Sequence, residues 1–168
     1  MLLEITSRAA LWFLPFVTPV CLWVIWSDLR AMRIPNVAVL TLAGIFVLVG
    51  LVAVTPVWPD YAWRIAVMFI ALVIGFIANA AGLMGAGDSK FIAAAAPFVA
   101  PADWRIVVFI FAANLLACFV THRGVKHSPL RGLAPHWISW DRDKKFPMGF
   151  ALGATLVIYL GLGVAYGQ

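Results

Sequence analysis

The chain has 168 residues, of which 64% are hydrophobic and only 11% are charged. A soluble domain carries about a quarter charged residues because its surface faces water, so this composition excludes a soluble globular fold. The high hydrophobicity also excludes intrinsic disorder. The sequence predicts an integral membrane protein. Its net charge of +5 is therefore interpreted as a signal of membrane orientation, and no nucleic-acid partner is expected.

Six apolar segments follow one another along the chain and are predicted to be transmembrane helices. They cover residues 9–26, 37–57, 65–83, 91–100, 106–120 and 148–166. Helices are expected because lipid offers the backbone no hydrogen-bond partners outside the chain. A spanning helix uses about 20 residues, so the short fourth segment either crosses or is re-entrant. The predicted fold is all-α: one bundle of about six transmembrane helices over residues 1–168, with no soluble domain.

Basic residues are distributed unevenly between the connections, and this predicts the orientation of the bundle. Nine of the twelve Lys and Arg residues lie in the first, third and fifth connections: Arg30, Arg33, Lys90, Arg123, Lys126, Arg131, Arg142, Lys144 and Lys145. The N-terminal end and the other connections hold only Arg8, Arg64 and Arg105. Basic loops stay in the cytoplasm, so both termini are predicted to lie outside.

The fifth connection, at about residues 122–147, combines basic residues with Trp137, Ile138 and Trp140. This composition suits the headgroups of an anionic leaflet, so a cytoplasmic loop lying on the membrane surface is expected. Contact with an incoming substrate is the alternative. The histidines of this loop lack metal-ligand spacing on a helix, so no metal or cofactor is expected; they are His122, His127 and His136.

A few polar residues and cysteines lie inside the apolar segments. Cys21 and Cys118 form no CxxC pair and are expected to act as small hydrophobic side chains. Asn79 and Asn114 are expected to form hydrogen bonds between helices, with substrate contact as the alternative.

The acidic residues divide into two groups. Five of them fall in short polar connections and are expected to be solvated: Glu4, Asp60, Asp103, Asp141 and Asp143. Asp28 and Asp88 instead fall at the cytoplasmic ends of the first and third segments. A helix from Pro101 back to Asp88 would cover about 20 Å of a hydrocarbon core about 30 Å thick. Asp88 would then lie about 10 Å inside the membrane, where a carboxylate needs a partner or water.

The residues around the two aspartates permit both a structural and a catalytic interpretation. Gly85 and Gly87 precede Asp88, and glycine allows another chain to approach closely. The structural alternative is a glycine turn followed by Asp88 as a helix N-cap. For Asp28 the structural alternative is a turn before the second segment. If the two carboxyl groups meet, they share one proton and can hydrolyse a peptide bond without a covalent intermediate.

Three motifs carry a resemblance to a known family. An Asp followed by Ile-Pro-Asn (Asp28 to Asn36), a GxGDxK element (residues 85–90) and the late stretch FPMGFALG (residues 146–153) together resemble the type IV prepilin peptidases. These are intramembrane aspartic proteases. The resemblance implies that Asp28 and Asp88 are the catalytic pair. It also implies that Gly85, Gly87, Lys90, Pro35 and Asn36 are motif residues near the substrate, with Lys90 alternatively a membrane anchor.

The small size of the chain adds detail to the resemblance. Larger members carry paired CxxC motifs and methylate the new N-terminus, and this chain has neither those cysteines nor the length. It is therefore similar to the small prepilin peptidases of tight-adherence pilus systems, with the related archaeal preflagellin peptidases as the alternative. The implied activity is removal of a short basic leader from prepilin or pseudopilin precursors at the cytoplasmic face of a bacterial inner membrane. The implied partners are such a precursor, membrane lipid and pilus-assembly machinery.

Two other classes of function remain open from the residues alone. In a small proton-coupled transporter the two acids would form a proton relay. Paired broken helices and an internal repeat are not evident, and both acids lie towards one face. In an assembly scaffold the acids would be structural. Neither a transporter nor a scaffold would cut a precursor.

Overall fold

The computed structural model describes residues 2–54, 57–141 and 146–168. Six α-helices form the described part of the chain: α1 Ser7–Ala31, α2 Asn36–Ala53, α3 Ala62–Ala80, α4 Ala86–Ala95, α5 Trp104–Lys126 and α6 Met148–Tyr166. No β-strand occurs within these residues, apart from an isolated bridge between Leu3 and Gly167. The predicted all-α bundle is therefore confirmed.

Five helices of the described chain are long and apolar enough to cross a membrane. They are Ser7–Ala31, Asn36–Ala53, Trp58–Ala80, Pro101–Lys126 and Met148–Tyr166. The fourth helix has 10 residues, which corresponds to about 15 Å. It is followed by a short 3-10 turn at Ala96–Phe98 and then by Pro101. The fourth apolar segment is thus a short helix packed between longer ones.

Two helices extend beyond their predicted ends. The first apolar segment was expected to stop at Trp26, but α1 continues to Ala31, where Met32 adopts a left-handed conformation with φ 52° and closes the helix. Asp28 therefore lies within the last turns of α1. Similarly, α5 continues to Lys126 and includes His122, so the loop before α6 begins five residues later than predicted.

The centre of the bundle is an aromatic cluster that joins three elements. Phe13 of α1 lies 5.6 Å from Phe46 of α2, and both rings meet Phe98 edge-on at centroid distances of 4.9 and 5.2 Å. All three side chains are fully buried. The cluster holds the turn after α4 against α1 and α2. This packing at the C-terminal end of α4 helps to fix the position of the whole short helix, including its N-terminal residues.

Helix α6 packs closely along α1 because small residues line their interface. A Cβ on Gly153 would lie 3.0 Å from Ile25 and 3.2 Å from the carbonyl of Cys21. A Cβ on Gly163 would lie 2.9 Å from Ala10. Small residues allow helix backbones to approach in this way. Cys21 and Cys118 are both buried and free, as expected of small hydrophobic side chains.

Asp103 was expected to be solvated, and this prediction is wrong. Its side chain is 3% exposed and accepts hydrogen bonds from the backbone N–H groups of Glu4 and Ile5 at 2.9 and 3.0 Å and from the Tyr159 hydroxyl at 2.8 Å. Burial is tolerated because three donors satisfy the carboxylate. The expected exposure of Glu4, Asp60 and Asp141 agrees with the structure, and Asp143 lies outside the described residues.

Candidate active site

Asp28 is held at the N-terminus of α6. It is 5% exposed, and its Oδ2 accepts the backbone N–H of Gly149 at 2.7 Å. Pro147 occupies the N-cap of α6 and provides no side-chain hydrogen bond to that helix. Because the first N–H groups of a helix have no partners within the helix, Asp28 satisfies one of them from α1. A negative charge is also favourable at this end of a helix dipole.

Gly149 lets the Asp28 carboxylate reach the helix. A Cβ at position 149 would lie 3.0 Å from Oδ2, 3.1 Å from Cβ and 3.2 Å from Cγ of Asp28. These distances are tighter than ordinary packing, so a side chain here would displace the carboxylate. The glycine stretch at the start of α6 therefore has a structural role that the sequence did not reveal, because this part of the helix contacts Asp28.

Asp88 lies in the first turn of α4, three residues after the N-cap. The N-cap is Gly85, so the prediction that Asp88 itself is the N-cap residue is wrong. The Gly85 N–H nevertheless hydrogen-bonds the Asp88 carboxylate, as an acid at this position does in a capping box. Asp88 is half-buried. Burial raises the pKa of Asp88, and the hydrogen bond from Gly85 opposes this effect.

The structure brings the two aspartates to the same region of the bundle. The charges of Asp28 and Asp88 interact across the gap between α1 and α4. Two carboxyl groups that lie close together do not ionise independently, and such a pair can share a single proton. Such a pair can accept a proton from water and donate one to a carbonyl oxygen.

The residues of the first two motifs also meet in space. A Cβ on Gly87 would lie 3.3 Å from the Ile34 side chain, so the start of α4 packs against the connection between α1 and α2. Pro35 is the N-cap residue of α2, and Asn36 is its first residue. The Lys90 Nζ donates a hydrogen bond of 3.1 Å to Asn36 Oδ1. Positions 54 residues apart are therefore joined beside Asp88.

The two asparagines form contacts within the protein. Asn114 Nδ2 donates to Thr155 Oγ1 at 3.1 Å and joins α5 to α6, as the interhelical interpretation expected. Asn79 Nδ2 donates to the Met84 carbonyl at 2.9 Å. This bond is local and stabilises the turn that leads to Gly85.

The loop before α6 folds against the helices. His122 lies in α5, is buried and stacks on Trp140 with ring centroids 4.7 Å apart. In the described part of the chain, no group of three or more His, Cys, Asp or Glu side chains is arranged to hold a metal ion. Three basic residues used for the orientation prediction lie outside the described residues: Arg142, Lys144 and Lys145.

Sequence reasoning missed two polar contacts of the bundle. It did not connect Gly149 with Asp28, although the glycine stretch had been singled out. It also did not find the bonds of Asp103 to Ile5 and Tyr159, which are 98 and 56 residues away in the chain. The proline and alanine beside Asp103 contain no signal of such distant partners.

Comparison with known families identifies a matching family model. The sequence model described as the type IV leader peptidase family matches residues 16–121. This range includes Asp28, Asp88 and both early motifs but not the glycine stretch of α6. Comparison with curated proteins and with solved structures gives no significant match.

Proposed function

The chain belongs to the type IV leader peptidase family, and we propose that it is a membrane-embedded aspartic endopeptidase in which Asp28 and Asp88 are the catalytic residues. The observation that carries this proposal is the placement of two carboxyl groups from distant parts of the chain: Asp28 is bonded to the start of α6, and Asp88, at the start of α4, lies close enough for its charge to act on Asp28. Ionisable residues near membrane depth are costly and usually functional. A pair of like charges is more costly still, since each carboxylate opposes the ionisation of the other.

In the proposed mechanism the pair holds one proton and one water molecule. The ionised carboxylate accepts a proton from the water while the water oxygen attacks the scissile carbonyl carbon. The protonated carboxyl group donates its proton to the carbonyl oxygen, which gives a neutral tetrahedral intermediate. The C–N bond then breaks as the leaving nitrogen takes the proton from the pair. A hydroxyl group of the intermediate gives its proton back to the pair and becomes the carbonyl of the new carboxylic acid, so the pair again holds a single proton.

The proposed substrate is a prepilin-like precursor with a short basic leader followed by a hydrophobic segment. The precursor would itself be a membrane helix, and its cleavage site would lie at the same membrane face as the pair. The excess of basic residues in the connections at this end of the bundle supports a cytoplasmic position for the site in a bacterial inner membrane. Both termini would then lie in the periplasm.

The substrate-proximal motif residues have a positioning role in this proposal. Gly85 allows the backbone of an extended peptide to come close to Asp88, and Gly87 allows the start of α4 to pack against Ile34. Lys90 and Asn36, joined by their hydrogen bond, hold the starts of α4 and α2 together beside the pair. The chain lacks the paired CxxC motifs of the larger enzymes, so no methyl transfer to the new N-terminus is expected.

A cleavage assay with purified protein tests this function. The protein is reconstituted in lipid vesicles with a precursor that carries a short basic leader before a transmembrane segment. The expected result is one cut between leader and hydrophobic segment, with the mass of the product matching an unmethylated N-terminus even when a methyl donor is added. An intact precursor together with proton-coupled solute uptake by the vesicles would identify a transporter. An intact precursor without such flux would favour the scaffold.

A further inference from the structure

Helix α3 lies at the edge of the bundle and packs mainly on α4 and the turn that follows it. The structure describes every residue of α3, and Gly75 is the only one of them that is buried. Its chain neighbours Ile74 and Phe76 are 61% and 72% exposed. Lipid is as apolar as these side chains, so hydrophobicity alone does not hold α3 on the protein. The contact at Gly75 therefore needs a closer look at what it touches.

Gly75 contacts the residue that follows Asp88 in α4. A Cβ on Gly75 would lie 3.0 Å from Ser89 Cβ, 3.3 Å from the Ser89 carbonyl oxygen and 3.4 Å from Ser89 Cα. The first two distances are tighter than ordinary packing, so a methyl group at position 75 requires a shift of a few tenths of an ångström. Consecutive Cα atoms are about 3.8 Å apart, so a displacement of Ser89 also displaces Asp88.

Two hydrogen bonds attach α3 to both ends of α4. Near the start of α3, Arg64 Nη1 donates to the Pro97 carbonyl in the turn after α4 at 3.2 Å. One turn after Gly75, Asn79 Nδ2 donates to the Met84 carbonyl just before α4 at 2.9 Å. Because α3 is attached on both sides of the contact, it cannot simply move outwards to make room for a side chain. The added volume has to displace α4.

The first turn of α4 passes such a displacement on to Asp88. The Gly85 carbonyl accepts both the backbone N–H and the hydroxyl of Ser89, each at 3.0 Å. The Gly85 N–H in turn bonds the Asp88 carboxylate. The opposite end of α4 leads into Phe98 of the aromatic cluster, which holds it against α1 and α2. The end that carries Asp88 is therefore the end that responds to a change at Gly75.

On the proposed function, on which this inference rests, we propose that Gly75 is a positioning residue for the cleavage reaction. Its missing side chain lets α3 lie against Ser89 and so fixes the position of Asp88 relative to Asp28. Gly75 acts only through α4. A misplaced catalytic group lowers kcat more than it changes KM, because its alignment matters mainly in the transition state.

Cleavage kinetics with a matched pair of glycine variants test this role. Gly75→Ala adds one methyl group at the contact and should lower kcat by about 10- to 100-fold, with KM within about twofold of the wild-type value. Gly44→Ala in α2 is the control and should behave as the wild type, because among the described residues nothing lies within 4 Å of its added Cβ. Thermal unfolding in detergent shows whether each variant is folded at the assay temperature.

Substitutions of Ser89 separate the positioning role from a general loss of packing. Ser89→Gly removes the Cβ that the new methyl group would meet, whereas Ser89→Ala removes the hydroxyl but keeps that Cβ. In the Ser89→Gly background, Gly75→Ala should cost only about threefold in kcat. In the Ser89→Ala background, the cost should stay at about 10- to 100-fold. Each double variant is compared with its own Ser89 single variant, so the effect of the lost hydroxyl cancels.

A second variant covers the case in which Gly75→Ala does not fold. Asn79→Ala adds no volume and removes the bond to the Met84 carbonyl, so the turn before α4 is held less firmly. It should lower kcat by about three- to tenfold at unchanged KM. A wild-type kcat for Asn79→Ala would then contradict the role of α3.

The results distinguish failure of this inference from failure of the proposed function. If the wild type cuts the precursor and a folded Gly75→Ala variant cuts it equally fast, Gly75 does not position Asp88. Equal losses in both Ser89 backgrounds, or a loss that appears in KM alone, would also overturn the inference. If the wild type cuts no precursor, the proposed function itself fails, and the inference fails with it.

Discussion

Asp28 and Asp103 are both almost fully buried, but they lie near opposite ends of α1 and have different charged neighbours. Asp103 accepts hydrogen bonds from Glu4, Ile5 and Tyr159 and interacts with the positive charge of Arg64. Asp28 interacts instead with a second acid, Asp88. Asp103 thus has hydrogen-bond donors and a cation around it, whereas Asp28 has a like charge nearby in addition to its hydrogen bond from Gly149.

This difference separates a structural aspartate from a candidate catalytic one. The hydrogen bonds of Asp103 connect the N-terminal residues to the start of α5 and to α6, so both oxygens of its carboxylate accept bonds that hold the fold together. At the other end, Asp88 is half-exposed and Asp28 is fixed by Gly149, and in the proposed mechanism the two carboxyl groups exchange a proton. Perturbed acids cluster at functional sites for this reason.

The largest expected effect is on catalysis, from substitutions in the pair. Asp28→Asn and Asp88→Asn each remove one proton-transfer group while they keep the side-chain shape. Cleavage of the precursor should fall by about 1,000-fold or more for each variant. Thermal unfolding in detergent should show that both variants still fold. Cleavage within tenfold of the wild-type rate by either variant would remove that residue from the mechanism.

The second prediction is that substitutions at Asp103 reduce stability and leave catalysis almost unchanged. Asp103→Asn replaces one acceptor oxygen by an amide nitrogen, which cannot accept, so at least one of the donors from Glu4, Ile5 and Tyr159 loses its partner; this should cost about 2–3 kcal/mol of unfolding free energy. Tyr159→Phe, which removes one of the donors, is the milder companion variant. Both should lower the thermal unfolding temperature, while kcat at a temperature below the transition stays within about twofold of wild type. A selective loss of kcat without loss of stability would contradict the structural assignment.

The two aspartates also show which features of the fold and the candidate site could be predicted from the sequence. The helical membrane fold and the family are confirmed, and α6 begins and ends where hydropathy predicts, because lipid-facing helices must be continuously apolar. Hydropathy ended the first segment too early because Ser27 and Asp28 are polar, although Asp28 is buried against α6. It also placed Asp103 in solvent, since the donors that bury it come from distant residues.

The third prediction concerns the contact between Asp28 and α6. Gly149→Ala should push the carboxylate away from its hydrogen bond and lower kcat by about 10- to 100-fold, because a misplaced catalytic group loses its alignment. Gly161→Ala is the matched control in the same helix: among the described residues, nothing lies within 4 Å of its added Cβ. Equal activities of the two variants would show that the contact does not position Asp28.

The smallest expected effect is at the exposed contact between Lys90 and Asn36. Lys90→Met keeps most of the side-chain length but removes the donor, so kcat/KM should fall by only about two- to fivefold. Asn36→Ala should have a similar effect, and the double variant should be no worse than either single variant. Independent losses from the two substitutions would show that the residues do not act through their hydrogen bond.

The central claim is that Asp28 and Asp88 act as one unit, and a double-variant rate measurement tests it most directly. The residual cleavage rates of Asp28→Asn, Asp88→Asn and the combined variant are compared under single-turnover conditions. Residues that act as a unit have non-additive effects, so the combined variant should be no slower than the slower single variant. If the two losses instead multiply in the combined variant, the aspartates contribute separately and do not share a proton.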